Sequence, residues 1–281
     1  MRYWQWAAMC VVLGMMTACA DKPQVQMAAD VIKTKEQNQS FAWQNKIISS
    51  KDNINQKCTN QCPQMEYQLI STPYAWIDST INKAVLSILD SGEESAEGSP
   101  AAKRIQDFYA KPVVSDDELG EQLGRIKQNL DRLAKEASGE QMVVVSAKPD
   151  FLGFYKDLPQ MSVSGEIYLG GAHGMTSYFY YVFDLQAKRQ LDLSDVVLPN
   201  QMPALQQTLQ AQFDAMLRSQ GADPAEHGQS WEFFVTRNFV FDKDGMEFLY
   251  QPYEIAPYVY GPISLRLDKQ QMRALIKPQY L

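Results

Sequence analysis

The chain has 281 residues, with 26 lysines and arginines against 33 aspartates and glutamates, a formal net charge of −7. That balance excludes the basic face on which nucleic-acid binding depends. The length accommodates one large or two modest domains, each able to bury a core, and after the leader no stretch stays apolar for the roughly 18 residues that a membrane-spanning helix needs.

Arg2 is the only charge before Asp21, and Ala7–Met16 is an apolar run of signal-sequence length, too short to cross a bilayer. The small residues Thr17 and Ala18 then precede Cys19. That order is the processing signal of a bacterial lipoprotein, with Met16 where leucine is more usual. The expected product starts at Cys19, carries palmitate-type acyl chains on its sulfur, and is one charge more acidic than the whole chain. An ordinary secretory leader and an uncleaved anchor are the competing readings. One acyl chain is a marginal anchor at about 0.8 kcal/mol per buried methylene, whereas two or three hold permanently. Ala20, where aspartate would retain the product in an inner membrane, places it on the outer membrane, facing the periplasm.

The expected divisions are a signal peptide over 1–18, a polar tether over 19–45, an N-terminal α+β segment over 46–158 and a C-terminal α+β domain over 159–281. The last two are also able to form one globular unit. Cys10 leaves with the leader and Cys19 takes lipid. Cys58 and Cys62 remain, with three residues between them, within Cys58–Pro63. Outside the cytoplasm a disulfide between them is expected, a local staple contributing about 2 kcal/mol. A redox pair usually has two intervening residues, and a zinc site needs further ligands, for which the chain offers only two histidines.

The tether is expected to end in a strand near Phe41–Ile48. Met65–Ile70 alternates as a strand, and Ile77, Ile81, Val85, Ile88 and Leu89 share one helical face. Ser91–Pro100 reads as an acidic loop. Ser115 with Glu118 forms a capping box, followed at helical spacing by Leu119, Leu123, Ile126, Leu130 and Leu133. Met142–Val145 and Phe151–Tyr155 read as two strands. Val163, Gly165, Ile167 and Leu169 alternate with polar residues, and Thr176–Phe183 is an aromatic strand. Leu191 and Leu193 close a short strand. Asn200 is placed to cap a helix striped with Leu205, Leu209, Phe213, Met216 and Leu217. Asp242–Gly245 marks a hairpin. Ile263, Leu265 and Leu267 form the last strand, and Asp268 with Gln271 caps a terminal helix. Strands cluster between helices without a βαβ rhythm, which gives an α+β fold with mostly antiparallel sheet.

Tyr168–Gly174 (YLGGAHG) with Val182–Leu185 and Leu191–Asp195 resembles a family of bacterial extracytoplasmic domains, the RsiV-like, PdaC-associated family. The closing blocks Phe239–Gly245, Phe248–Tyr258 and Gly261 carry the same resemblance. The family includes the outer region of lysozyme-sensing anti-sigma factors and domains that precede the catalytic part of peptidoglycan deacetylases. Tyr67–Asn82 resembles, more weakly, a segment that accompanies it. The resemblance covers roughly residues 45–278. The chain departs from the family in carrying neither the transmembrane helix and sigma-binding segment nor the deacetylase part. The resemblance therefore implies a lipoprotein that binds, with lysozyme, another cationic wall enzyme or peptidoglycan as partner, and without catalysis. An assembly lipoprotein with no small ligand is the alternative.

Gly170, Gly171 and Gly174 permit positive φ and a tight strand connection in which His173 fixes the loop. On a second reading the same glycines let a partner approach while His173 touches it. No nucleophile motif accompanies His173, so an enzyme is not expected, and neither a cofactor nor a metal is called for. Tyr253, Glu254, Tyr258 and Tyr260 lie in a proline-punctuated loop, either as a binding surface or as a roof over the core. His227 reads as an exposed loop residue.

Overall fold

The computed structural model of the protein describes residues 44–46, 52–53, 64–90, 99–136 and 143–281. Cys19, Cys58, Cys62, the leader and nearly all of the tether lie outside them. The fold is α+β. The described strands are β1 (Gln44–Lys46), β2 (Asp52–Asn53), β3 (Gln64–Tyr67), β4 (Leu69–Ser71), β5 (Val144–Tyr155), β6 (Leu158–Tyr168), β7 (Met175–Asp184), β8 (Arg189–Gln190), β9 (Phe239–Phe241), β10 (Gly245–Tyr250) and β11 (Ile263–Asp268). The α-helices are α1 (Ala75–Leu89), α2 (Pro100–Ala110), α3 (Asp116–Glu136), α4 (Leu193–Val196), α5 (Met202–Ser219), α6 (Pro224–His227) and α7 (Lys269–Leu275).

A six-stranded sheet runs β2-β3-β5-β6-β7-β8, a three-stranded sheet runs β11-β10-β9, and β1 pairs with β4. Among the described strands β3 with β5 is the parallel pair; the others are antiparallel. The long β5–β6 hairpin turns at Lys156-Asp157, with Lys156 at φ 53°, and bends at a bulge between Phe151 and Gly153. Met142–Val145 and Phe151–Tyr155 were expected as two strands. They belong to one bent strand from Val144 onward, because the bulge changes its direction without breaking the pairing.

Strands β6 and β7 form a wall between two cores. Met161, Val163 and Phe183 face the first core, with Met65, Val145, Ile77, Ile81 and Val85. Leu158 and Val182 face the second, with Leu209, Phe213, Phe248 and Leu267. The two-residue period of a strand performs this division, since successive side chains leave opposite faces.

Helix α1 covers the first face. Its predicted stripe is buried in full, with Ile77, Ile81 and Val85 wholly so. Gly165 makes the approach possible, for a Cβ there would sit 2.5 Å from Ile88 Cγ2 and 2.2 Å from Ser146 O. Asn82 lies in the same helix face and is buried. Its Oδ1 accepts from Ile70 N at 2.8 Å and its Nδ2 donates to Ile70 O at 3.0 Å. The predicted strand over 65–70 is therefore two short strands in different sheets, since β3 pairs with β5 and β4 pairs with β1.

Helix α2 falls where the sequence suggested only the end of a loop. Ser99 caps it by accepting from Ala102 N at 3.1 Å, and Pro100 occupies its first turn, where the missing N–H costs nothing. The Ser115–Glu118 capping box is present in both directions. Leu193 begins helix α4 instead of ending a strand, because Asp192 and Asp195 form a capping box there. Gln201, not Asn200, occupies the cap position of α5, while Asn200 sits in the turn at φ 63°. Of the expected stripe, Leu205, Leu209, Phe213 and Leu217 are buried, and Met216 is partly buried against the same core.

The small sheet is joined to the large one by a side chain. Gln160 is only 4% exposed; its Oε1 accepts from Phe241 N at 2.8 Å and its Nε2 donates to Phe241 O at 2.9 Å. Replacing it by Met keeps the volume and strands both Phe241 groups. We expect Gln160→Met to lose about 1–3 kcal/mol of stability in urea denaturation, and Gly165→Ala to lose about 1–3 kcal/mol through overpacking against Ile88.

Candidate functional site

The β6–β7 connection, Leu169–Gly174, is built by glycine. Gly170 and Gly171 adopt φ 93° and 105°, a region that costs residues with a Cβ about 1–2 kcal/mol each. At Gly174 a Cβ would crowd Ile167 O at 3.2 Å and Glu166 Oε1 at 3.3 Å. Tyr168 OH donates to Gly171 O at 3.1 Å, which closes the turn. The Gly174 carbonyl accepts twice: from His173 Nδ1 at 3.0 Å and from Tyr258 OH at 3.0 Å. The His173 ring is exposed and stacks on Tyr258 with centroids 4.0 Å apart and planes 16° from parallel.

The opposing loop, Gln251–Gly261, is fixed at its base. Gln251 Oε1 accepts from Tyr178 N at 2.9 Å and its Nε2 donates to Tyr178 O, so its amide pairs with β7 as a strand would. Glu254 Oε2 accepts from Gln251 N at 2.7 Å and Glu254 N donates back to Gln251 O at 3.1 Å. Burial raises the Glu254 carboxyl above its ordinary pKa, and the Gln251 N–H opposes that shift. This reciprocal pair holds Tyr253 between them at φ 70°. Tyr253 is 46% exposed and tilts against Tyr258 at 5.6 Å. The short 3-10 turn Tyr258–Tyr260 projects Val259, 86% exposed, into solvent.

The structure thus brings His173, Tyr258 and Tyr253 onto one surface, with Gly170 and Gly171 in the adjoining turn and Glu254 beneath. The sequence did not indicate that the surface continues. Trp231 stacks beside Tyr253 at 6.4 Å, and His227 stacks beside Trp231 at 6.4 Å. His227 is not an exposed loop residue as expected. It ends helix α6, is half-buried, bonds Ile255 O through Nε2 at 2.8 Å, and meets the Phe213 ring edge at 5.4 Å. Its context of Glu226 and Gly228 concealed this, because both partners are distant in the chain. Trp231, between Ser230 and Glu232, was the available signal.

Five rings therefore run in sequence: His173, Tyr258, Tyr253, Trp231, His227. Glutamates adjoin three of these rings in the chain, Glu226 before His227, Glu232 after Trp231 and Glu254 after Tyr253, and Glu166 Oε1 borders Gly174. Such a surface offers stiff amphipathic area whose ring faces suit a cationic or planar partner. Each imidazole uses one ring nitrogen on a main-chain carbonyl. Among the described residues no group of three or more His, Cys, Asp or Glu side chains is arranged to hold a metal, and no helix is long and apolar enough to cross a membrane.

A search of curated proteins finds no match to the chain. Two crystal structures share its fold. A DUF3298 family protein from Pseudomonas aeruginosa PAO1 superposes with a TM-score of 0.61 at 20% identity, over 86% of this chain and 96% of that one. A member of the same family from Bacteroides fragilis superposes with a TM-score of 0.56 at 18% identity, over 85% and 94% respectively. Residues 194–270, from α4 to the start of α7 and including four of the five rings, match DUF3298, a family of proteins of unknown function.

Proposed function

We propose that the protein is a lipoprotein of the outer membrane, anchored through acyl chains on Cys19 and facing the periplasm, that acts as a non-catalytic binding module for lysozyme or another cationic wall enzyme. The observation that carries this reading is the strip of five rings. Stacked tyrosines and a tryptophan supply contact area at low entropic cost, as interface anchors do. The glutamates that neighbour these rings in the chain add negative charge that suits a basic partner and speeds encounter with it. The chain's overall acidity, its lipoprotein leader and its resemblance to the RsiV-like family support the same reading. A Cys58–Cys62 disulfide belongs to it, as the staple of an exported chain. Peptidoglycan is the second partner class, and a purely structural role in envelope assembly is the outcome if neither binds.

Calorimetric titration with hen lysozyme is expected to show saturable binding that weakens with added salt. Trp231→Ala or Tyr258→Ala is expected to weaken it by about 2 kcal/mol or more, roughly thirtyfold. No heat at high micromolar lysozyme, with none for purified peptidoglycan, would sink the reading.

Glu254 adds a pH dependence. Its raised pKa means that it loses its charge earlier than an ordinary carboxylate as pH falls. Lysozyme affinity should drop through that range, and Glu254→Gln should remove this step while starting from a lower affinity at neutral pH. The anchor is tested apart from the partner: labelled palmitate should enter the native chain and not Cys19→Ala.

A further inference from the structure

The large sheet has a second open surface that the ring strip does not use. On the side away from α1, cross-strand register aligns Glu66, Ser146, Glu166 and Thr176 in one row. Lys148, Ser164 and Tyr178 align in the next. Both rows line a single groove across β3, β5, β6 and β7. Strands lie about 4.8 Å apart, so a four-residue row spans about 14 Å.

The polar side chains of these rows point outward from the sheet and are available to a ligand, unlike the buried amides of Gln160 and Asn82, which are taken up by backbone groups. Here, among the described residues, the side chains of Glu66, Ser146, Ser164, Glu166 and Thr176 have no hydrogen-bond partner. Lys148 meets only Asp150, at 3.5 Å. Short hydroxyl side chains make the floor, two carboxylates stand at the same level on separate strands, and Tyr178, 40% exposed, provides a ring at one side. The apolar residues of the same strands, Met65, Val145 and Val163, point to the opposite face and are buried.

We infer that this groove binds a neutral or N-acetylated glycan of several sugar rings, lying across the strands. Hydroxyl donors need acceptors at fixed spacing, which the two glutamates give, and sugar oxygens need donors, which Ser146, Ser164, Thr176 and Lys148 give. The tyrosine face suits the apolar side of a sugar ring. An anionic polymer is disfavoured, because Glu66 and Glu166 outnumber a lysine that already faces Asp150. An apolar peptide would have to leave the polar side chains of both rows without partners. The inference rests on this face alone and is independent of the partner of the ring strip, although Glu166 also borders Gly174, so the two surfaces adjoin.

The test uses the full chain and tetra-N-acetylchitotetraose, with cellotetraose beside it, followed by calorimetry and by amide chemical shifts. Saturable binding is expected for at least one sugar, with shifts centred on residues 146–148 and 164–166. Ser164→Val and Glu166→Gln should each weaken it at least tenfold. Glu166 is exposed, so that variant stays informative if Ser164→Val does not fold. Absence of saturation at high millimolar sugar, or binding that neither variant changes, overturns the inference. Lysozyme is titrated separately against the same preparation, so that sugar binding without lysozyme binding, or the reverse, tells the two surfaces apart.

Discussion

The architecture depends on side-chain amides that pair with main chain as a neighbouring strand would. Gln160 reads both polar groups of Phe241, Gln212 both of Arg266, Gln251 both of Tyr178, and Asn82 both of Ile70. Asn238 donates to Tyr178 O and Leu249 O and accepts from Tyr180 N. An amide carries one acceptor and two donors, so it matches the N–H and C=O that a strand presents on one side. The buried pairings of Gln160 and Asn82 satisfy groups that would cost about 1–3 kcal/mol if left unpaired. Amide pairing also occupies positions on outer strand edges: Arg266 of β11 through Gln212, Phe241 of β9 through Gln160, and Tyr178 and Tyr180 of β7 through Gln251 and Asn238. Open edge positions invite association with foreign strands, and here the protein's own amides take these ones.

These contacts explain what the sequence could and could not reveal. Features that arise from neighbours in the chain were legible. The apolar stripes of α1, α3 and α5 follow the helical period, the Ser115–Glu118 and Asp268–Gln271 boxes cap as they read, and Asp242–Gly245 turns the β9–β10 hairpin. The glycine run at 170–174 gave the β6–β7 connection. Features that depend on partners far along the chain were hidden. Nothing near Gln160 announces Phe241, and nothing near His227 announces Ile255. The division of β6 and β7 between two cores was also obscured, because Leu158–Met161 is buried on both faces and so loses the alternation that marks a one-sided strand.

The ring strip shows the same split. Its two ends lie in segments that drew attention for different reasons, one for glycines around a histidine and the other for tyrosines among prolines. The structure joins them through a single carbonyl, Gly174 O, which receives both His173 and the Tyr258 hydroxyl. The structural and functional readings of His173 are therefore not exclusive. By bonding the turn and stacking on Tyr258, the imidazole fixes the conformation of the turn and contributes an exposed ring to the surface. Likewise Tyr258 is half-buried and ties the loop down, while its neighbour Tyr253 stays open.

Preorganisation is what gives such a surface value to a binding protein. A loop that must order on contact gives up part of the contact energy as lost freedom, about 0.5–1.5 kcal/mol for each side chain immobilised. Here Tyr253 is already held at φ 70°, a conformation that a free chain would rarely adopt. The constraint is supplied from outside the loop, because Gln251 is bonded to β7 and Glu254 is bonded to Gln251. Pro252 and Pro257 restrict the same segment from within. The ordering cost is thus met during folding by hydrogen bonds to the sheet, and the rings stand in place before any partner arrives.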